Sequence, residues 1–188
     1  MFFRLVLLSM IASLPALGQA ANSNLRYQSS QNQLVSVFKG KIIVNGQPAF
    51  EFPQDNIVYK SKRNGLQEDK GKVYLFLETT NGTLKNRLNV FSIVYSKADS
   101  LFSVVASDVK DYDRDGYLEF GGSELATPHP SADSLYYLPS AFFEIKKGAI
   151  AFDAEYTQKI DTKVNGTYLV DPLDRSGKCC VALPKKKK

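Results

Sequence analysis

The chain has 188 residues, with 24 Lys and Arg against 19 Asp and Glu, which is long enough for one domain with its own core. Its single histidine and two cysteines provide no His/Cys cluster for a transition metal, and they leave little for a Ser-His-Asp triad. No basic and aromatic pattern typical of nucleic-acid binding is present.

The N-terminus has the pattern of a secretory signal peptide. Arg4 supplies a positive charge, residues 5–17 are apolar apart from two serines, and Gly18 and Ala20 are small residues at the two positions that signal peptidase reads. The apolar run is too short to span a bilayer core of about 30 Å. We predict that residues 1–20 are removed, that the mature chain begins at Ala21, and that the protein is secreted or periplasmic. An uncleaved anchor or a buried core segment is the alternative, and no later segment is apolar enough to span a membrane.

The mature chain predicts an all-β fold. Residues 21–31 are polar and are interpreted as a flexible leader, and we expect a single, mostly antiparallel β domain over residues 32–170, either a sandwich or an open curled sheet. No segment shows a sustained helical period, although residues 97–101 could form a short helix. Half-buried strands alternate apolar and polar residues with period two. Four segments show this alternation: residues 72–78, 90–95, 140–146 and 150–156.

Residue pairs typical of tight turns lie between the predicted strands. Asn-Gly pairs supply the positive φ angles that tight hairpin turns need. The predicted turns lie at Asn45-Gly46, Asn64-Gly65, Asn81-Gly82, Lys147-Gly148 and Asn165-Gly166.

The most specific chemistry lies in residues 111–119, which we call the acidic loop. Asp111, Asp113 and Asp115 alternate, Gly116 permits a bend, and Glu119 closes the run. Calcium takes six to eight oxygen ligands at ~2.3–2.6 Å, and such a loop can supply several of them. Without a cation, each pair of charges ~4 Å apart would repel by about 1–4 kcal/mol near a surface. We therefore predict a Ca²⁺ site, with a plain solvated acidic turn as the alternative.

The spacing does not fit an EF-hand. Counted from Asp111, the twelfth position is Gly122, which has no side-chain oxygen to serve as the bidentate ligand. Residues 101–107 also alternate like a strand, whereas an EF-hand loop is preceded by a helix.

The acidic loop resembles the calcium loop of FG-GAP and VCBS-type repeats, the kind found in integrin α subunits. By this resemblance the ligands would be Asp111, Asp113, Asp115, the main-chain carbonyl of Tyr117, and Glu119, in a turn between two strands. The sequence contains one copy only. The resemblance therefore implies a local calcium-binding hairpin loop and not a propeller.

A second resemblance covers residues 108–156, which look like a family of uncharacterised secreted proteins of Gram-negative bacteria. It is carried by Asp-Val-Lys-Asp-Tyr at residues 108–112, Gly-Tyr-Leu-Glu-Phe at 116–120 and Asp-Ser-Leu-Tyr-Tyr at 133–137. It implies no particular activity.

The remaining segments are predicted to be irregular. Residues 122–140 contain three prolines and are interpreted as a long loop, with His129 as a structural loop residue. Residues 171–188 are expected to form a loosely attached tail that ends in four lysines. We interpret those lysines as a solvated end, with an acidic partner or a membrane surface as the alternative.

The two cysteines, Cys179 and Cys180, are adjacent. Disulfides usually join Cα atoms ~4.4–6.8 Å apart, whereas neighbours across a trans peptide lie ~3.8 Å apart. The sequence therefore favours two free thiols or intermolecular pairing over a bridge between them.

Two functions are compatible with these patterns. The first is a secreted or periplasmic calcium-binding β module with a structural or partner-binding role, whose partner is an unknown protein or cell-surface polymer. Tyr136 and Tyr137 form the best candidate surface patch, although the absence of Trp weakens the case for a glycan partner.

The alternative is a secreted hydrolase acting on a polymer, with Asp153 and Glu155 paired on one strand face. No Gly-x-Ser-x-Gly motif supports an enzyme, and we do not expect one.

Overall fold

The computed structural model describes residues 24–123, 134–173, 175 and 180–184. The first seven strands are β1 (Asn24–Gln28), β2 (Leu34–Phe38), β3 (Lys41–Val44), β4 (Gln47–Glu51), β5 (Gly65–Asp69), β6 (Lys72–Thr79) and β7 (Arg87–Val94). The later elements are β8 (Lys97–Val105), β9 (Leu118–Ser123), β10 (Ser134–Tyr136), β11 (Ser140–Lys146), β12 (Ala149–Phe152), the helix α1 (Ala154–Asn165) and β13 (Ala182–Pro184).

The strands form three main sheets stacked as layers. The N-terminal sheet has the order β1-β2-β3-β4, the central sheet β5-β6-β7-β8 and the C-terminal sheet β12-β11-β9, and β10 pairs with β13 in a small separate ribbon. All of these pairs are antiparallel. The all-β, mostly antiparallel fold predicted from the sequence is therefore confirmed.

A first apolar core lies between the N-terminal and central sheets. Val73, Leu75 and Leu77 point into it from alternate positions of β6, and Val35 and Ile42 meet them from the N-terminal sheet. Each of these side chains is at most 2% exposed. Burying a side chain of this kind contributes roughly 1.5–3 kcal/mol. The period-two alternation of β6 thus fixes which residues face this core.

A second apolar core lies on the opposite face of the central sheet, against the C-terminal sheet. Here Tyr74 and Phe76 of β6 project toward Phe120 and Ile145. The rings of Phe76 and Phe120 meet edge to face, with centroids 5.1 Å apart. Because both faces of the central sheet are covered, residues 73–79 of β6 are all buried.

The predicted turns at Asn45-Gly46 and Lys147-Gly148 are hairpin turns. Asn45 and Gly46 have φ angles of 51° and 79°, and Lys147 and Gly148 have 54° and 76°. Positive φ at both central residues is the geometry that joins antiparallel strands with the correct twist. A third predicted turn, at Asn81-Gly82, lies in the connection between β6 and β7 and is closed by a 3.1 Å bond from Leu84 N to Asn81 O.

Two other turn signals have different roles. The Asn64 side chain accepts a hydrogen bond from Glu78 N at 2.7 Å and donates one to Val58 O at 2.8 Å, so it anchors a loop rather than a hairpin. Gly166, with φ 76°, ends α1 as a left-handed C-cap. The same backbone freedom of Gly serves a hairpin and a helix end, which is why the sequence did not distinguish them.

The helix α1 is the largest departure from the sequence prediction. The strand predicted over residues 150–156 ends at Phe152 because the Asp153 side chain accepts a 2.9 Å hydrogen bond from Tyr156 N and starts a helix. The short helix expected at residues 97–101 is wrong, since that segment belongs to β8. The buried residues of α1 include polar Thr157 and Asp161, so no apolar stripe marks it in the sequence.

Both ends of the described chain are more ordered than predicted. Strand β1 lies within the segment assigned to a leader and pairs with β2, and β13 lies within the segment assigned to a loose tail and pairs with β10. Val181 N also donates to Pro172 O at 2.9 Å. Cys180 is disulfide-bonded, so the expectation of a free thiol is wrong at this position. Cys179, the signal peptide and the terminal lysines lie outside the described residues, as does His129 in the predicted long loop.

Candidate metal centre

The acidic loop connects the central sheet to the C-terminal sheet, between β8 and β9. Its base is closed by two reciprocal backbone bonds, from Lys110 N to Glu119 O at 3.1 Å and from Glu119 N to Lys110 O at 3.0 Å. Among the described residues, strands lie on both sides of the loop, as expected for a strand–loop–strand unit and unlike an EF-hand. Gly122, the residue at the twelfth EF-hand position, is part of β9.

The carboxylate of Asp111 stabilises the bend of the acidic loop. Asp111 accepts hydrogen bonds from Arg114 N at 2.6 Å and from Gly116 N at 3.1 Å. The backbone passes through the left-handed region at both donors, with φ 71° at Arg114 and 94° at Gly116. Gly116 adopts this conformation without a steric cost, which explains the glycine at this place in the motif.

The next two carboxylates make local bonds of the Asx-turn type. Asp113 Oδ1 accepts from Asp115 N at 3.1 Å, and Asp115 Oδ1 accepts from Tyr117 N at 2.9 Å. These bonds turn the three aspartates toward the same centre. One carboxylate oxygen from each of Asp111, Asp113, Asp115 and Glu119 lies within 4.8 Å of the others. The four acids predicted as ligands are therefore brought together and could hold a metal ion.

Glu119 differs from the other three acids because it is fully buried. Its side chain is 0% exposed, and its Oε2 accepts a 2.5 Å hydrogen bond from Tyr112 N. Its Oε1 has no hydrogen-bond partner among the described residues. The pKa of Glu119 is raised to about 7, mainly by burial and further by the negative charges of Asp113, Asp111 and Asp115. The hydrogen bond from Tyr112 N lowers this pKa but does not offset those effects. A buried carboxylate oxygen with no donor is destabilising unless a proton or a cation satisfies it.

The position of Glu119 follows from the alternation of β9. Phe120 points into the second core, so Glu119 points to the outer face of the C-terminal sheet. On that face, the Tyr112 ring lies 6.1 Å from the Phe142 ring and 5.9 Å from the Tyr156 ring. The acidic loop thus has an aromatic contact with α1, which carries Tyr156.

Glu144 and Lys146 of β11 also lie at the site, although no sequence motif connects them to the acidic loop. Glu144 is the register partner of Glu119 in the β9–β11 pair. Lys146 Nζ lies 3.1 Å from Glu144 Oε1 and 3.4 Å from Asp115 Oδ2, and 4.1 Å from the centroid of the Tyr117 ring. These residues belong to a strand more than twenty positions later in the sequence, and only the strand register reveals that they are neighbours.

The pKa values of Asp115, Glu144 and Lys146 depend on one another. The Tyr117 backbone N–H, and then Lys146, lower the pKa of Asp115. The pKa of Glu144 is raised, mainly by burial, and the pKa of Lys146 is raised, mainly by its bond to Glu144. Lys146 therefore stays protonated at neutral pH and places a positive charge beside one of the acids that the sequence predicts as ligands.

Other residues singled out by the sequence have structural positions. Asp153 is the N-cap of α1 and Glu155 lies in its first turn, so the predicted pair on one strand face does not form. Tyr137, expected at the surface, is 0% exposed. Its hydroxyl donates to Asp161 Oδ2 at 2.7 Å. This bond connects the segment that follows β10 to the helix α1. For Tyr117, participation of the main-chain carbonyl as a ligand stays a prediction.

A second group of charged residues surrounds Glu78, near the start of the acidic loop. This carboxylate is 4% exposed and accepts hydrogen bonds from Asn86 at 2.7 Å, from Arg63 at 3.1 and 3.2 Å, and from Ser61. Arg63 also forms an ion pair with Asp108 at 3.1 Å. Because both oxygens of Glu78 are satisfied by protein donors, this group fastens the loop before β5 to the central sheet and leaves no oxygen for a cation.

Comparison with known proteins gives no relative: no family model matches the chain, and neither a curated protein nor a solved structure shows significant similarity to it. Within the residues that the structure describes, no helix has the length and apolar character needed to cross a membrane.

Proposed function

We propose that this protein is an exported calcium-binding β module with a structural or partner-binding role. The observation that supports the calcium site is the environment of Glu119. Its Oε1 is buried and lacks a donor, and it belongs to the group of carboxylates that includes Asp111, Asp113 and Asp115. A solvated acidic turn would place all its carboxylates in water, whereas this loop buries one of them against three like charges.

The donor set suits a hard cation such as calcium. All four side chains offer carboxylate oxygens, which suit Ca²⁺, Mg²⁺ and Mn²⁺ rather than softer metals. Two ligands on opposite sides of Ca²⁺ lie ~4.6–5.2 Å apart, given bonds of ~2.3–2.6 Å. For Mg²⁺, with bonds of ~2.0–2.1 Å, the same separation is ~4.0–4.2 Å. The four carboxylate oxygens lie within 4.8 Å of one another, which is compatible with ligands of a single Ca²⁺ ion.

The proposed effect of the ion is structural. A bound Ca²⁺ would offset two of the four negative charges and satisfy Glu119 Oε1, which lowers both the repulsion and the cost of burial. The ion would also hold Tyr112, whose backbone N–H donates to Glu119 and whose ring contacts Tyr156 of α1. Calcium would thus stabilise the contact between the acidic loop and the helix.

Calorimetry tests the site directly. The metal-free mature protein is titrated with CaCl₂ and, separately, with MgCl₂. We expect one calcium ion per chain and at least tenfold weaker binding of magnesium. Glu119→Gln keeps the size of the side chain and its bond from Tyr112 but removes the charge, so it should weaken calcium binding at least tenfold. Asp99→Asn, at an exposed acid on β8, is the matched control and should bind like the wild type.

The calcium proposal is contradicted if the wild type binds no calcium at millimolar concentration while circular dichroism shows that it is folded. The export proposal depends on Arg4 and the apolar residues 5–17, and sequencing of the mature N-terminus tests it separately. The alternative of a secreted hydrolase rested on Asp153 and Glu155, and the capping role of Asp153 gives that pair no shared site.

A further inference from the structure

A cleft of about 430 Å³ lies on the other side of the central sheet from the acidic loop. Its residues come from the N-terminal and central sheets and their turns, and none comes from the C-terminal sheet. Three side-chain amides line it, those of Gln31, Gln33 and Asn45, together with Lys72 and Tyr95. Ile93 and Val94 add apolar surface, so the lining is mixed polar and apolar, carries one charged side chain and includes no residue of the acidic loop.

Tyr95 is the most unusual residue of this cleft. It lies in the turn between β7 and β8, its φ is 54°, and its side chain is 84% exposed. A bulky residue in the left-handed region is an outlier, because its Cβ crowds the backbone. Packing does not compensate for that strain, since most of the ring is in solvent. Strain of this kind is concentrated at binding and catalytic sites.

The other hairpin turns show that the fold does not require a tyrosine at such a position. In the turn between β2 and β3, Lys39 has φ 48° and is followed by Gly40 at 74°. In the turn between β5 and β6, Lys70 has φ 47° and is followed by Gly71 at 75°. These turns use a long polar residue and a glycine, which suit the geometry. An exposed tyrosine in the turn between β7 and β8 therefore needs a reason outside the turn itself.

The amides provide fixed polar groups next to the ring. Asn45 donates to the carbonyl of Tyr95 at 3.4 Å and accepts from Leu34 N at 2.9 Å, so it holds the tyrosine turn in place. Gln31 donates to Gly71 O at 2.7 Å. Gln33 Oε1 is buried and has no donor among the described residues. The amides of Gln31 and Asn45 are therefore held at the cleft by their bonds to the main chain.

From these observations we propose that the cleft binds a sugar ring of a neutral oligosaccharide. The exposed face of Tyr95 would stack on the C–H face of the ring, and the amides of Gln31 and Asn45 would bond its hydroxyl groups. Amides both donate and accept, as sugar hydroxyls do, and a single lysine gives little attraction for an anionic ligand. This inference names the partner for the binding role proposed above, but it uses no residue of the acidic loop.

The test uses labelled mature protein on a printed array of neutral and acidic oligosaccharides, followed by titration of the neutral glycan that binds best. Tyr95→Asn removes the ring while Asn tolerates positive φ, so the variant should be at least as stable as the wild type and should lose at least tenfold in affinity. Lys39→Asn makes a similar change at the matching position of another hairpin, and it should bind like the wild type.

Three outcomes would overturn this proposal. The first is that no neutral glycan on the array binds, and the second is that acidic glycans bind better than neutral ones. The third is that Tyr95→Asn binds like the wild type, or that it unfolds at a lower temperature, which would show that the tyrosine has a structural role instead. Repeating the titration in chelator should leave the affinity unchanged, so failure of the calcium site and failure of the cleft are distinguishable.

Discussion

The central sheet is covered on both faces, and the two coverings bury different kinds of side chain. On one face, the N-terminal sheet contributes aliphatic residues such as Val35 and Ile42 to the first core. On the other, the C-terminal sheet contributes Phe120 to the second core but also buries Glu119 on its outer face, beneath a loop of like charges. Asp161 of α1 is buried in the same outer layer.

The difference indicates what each region needs in order to fold. Apolar burial in the first core requires no ion and no particular protonation state. The outer layer of the C-terminal sheet is stable only if its buried carboxylates are paired, protonated or bound to a cation. Mutations in the first core should therefore act equally in all solution conditions, whereas changes in the outer layer should depend on pH and calcium.

The largest effect is expected from Leu75→Ala in the first core. Leu75 is 0% exposed, so the substitution leaves a cavity and should lower the free energy of unfolding by about 2–5 kcal/mol. Because its neighbours are apolar, the loss should be the same with calcium and with chelator. Urea denaturation in both conditions measures it, and a loss that changes by more than about 1 kcal/mol between them would show that the two regions are coupled.

The metal-free protein should lose stability as the pH rises toward neutrality. The pKa of Glu119 is raised from 4.5 to about 7 in the folded state, so the folded chain binds this proton more tightly than the unfolded chain does. The stabilisation is complete below pH 4.5 and is lost as the pH rises to about 7. At 1.36 kcal/mol for each pKa unit, the loss attributable to Glu119 is on the order of 3 kcal/mol.

Denaturation of metal-free protein at pH 4.5, 6.0 and 7.5 checks this prediction. Glu119→Gln cannot titrate, so its stability should lack this decrease. Saturating calcium favours the carboxylate and should remove or reverse the slope in the wild type. A wild type and a Glu119→Gln variant with the same pH profile would show that Glu119 does not titrate in this range.

How far the sequence predicts this molecule depends on which contacts are local. The alternation of Val73, Leu75 and Leu77 identified β6 and its core face, because a strand repeats every two residues. The four acids were found because they lie within nine consecutive residues. Glu144 was not found because its contact with the site depends on the pairing of β9 with β11, which no local pattern encodes.

Replacing Tyr137 by Phe should cost about 1–3 kcal/mol, because it leaves buried polar groups without partners. The hydroxyl donates to Asp161 at 2.7 Å and accepts from Leu169 N at 3.2 Å. Tyr27→Phe is the matched control, since the hydroxyl of Tyr27 has no hydrogen bond within the described part of the chain. The control should change the free energy of unfolding by less than about 0.5 kcal/mol. Equal losses in the two variants would show that the bond to Asp161 contributes nothing.

The smallest effect is predicted for Lys146, and it concerns calcium affinity rather than stability. Lys146 Nζ lies 3.4 Å from Asp115 Oδ2, so an ion bound to that oxygen would lie at most about 6 Å from the ammonium, given a Ca–O distance of ~2.4 Å. Repulsion between one positive charge and a divalent ion at that distance is about 1.4 kcal/mol in water. The lysine would thus keep the affinity of the calcium site lower than its four carboxylates alone would give.

Lys146→Met removes this charge but keeps an apolar side chain of similar length beside Tyr117. Calcium affinity should rise about three- to tenfold at low salt, and the gain should shrink as ionic strength increases, because salt screens exposed charges. Lys147→Met, in the adjacent turn, removes a charge that makes no ion pair among the described residues, and it should change the affinity less than twofold. If Lys146→Met binds calcium no better than the wild type, or more weakly, then Lys146 orients Asp115 and Glu144 for binding instead of competing with the ion.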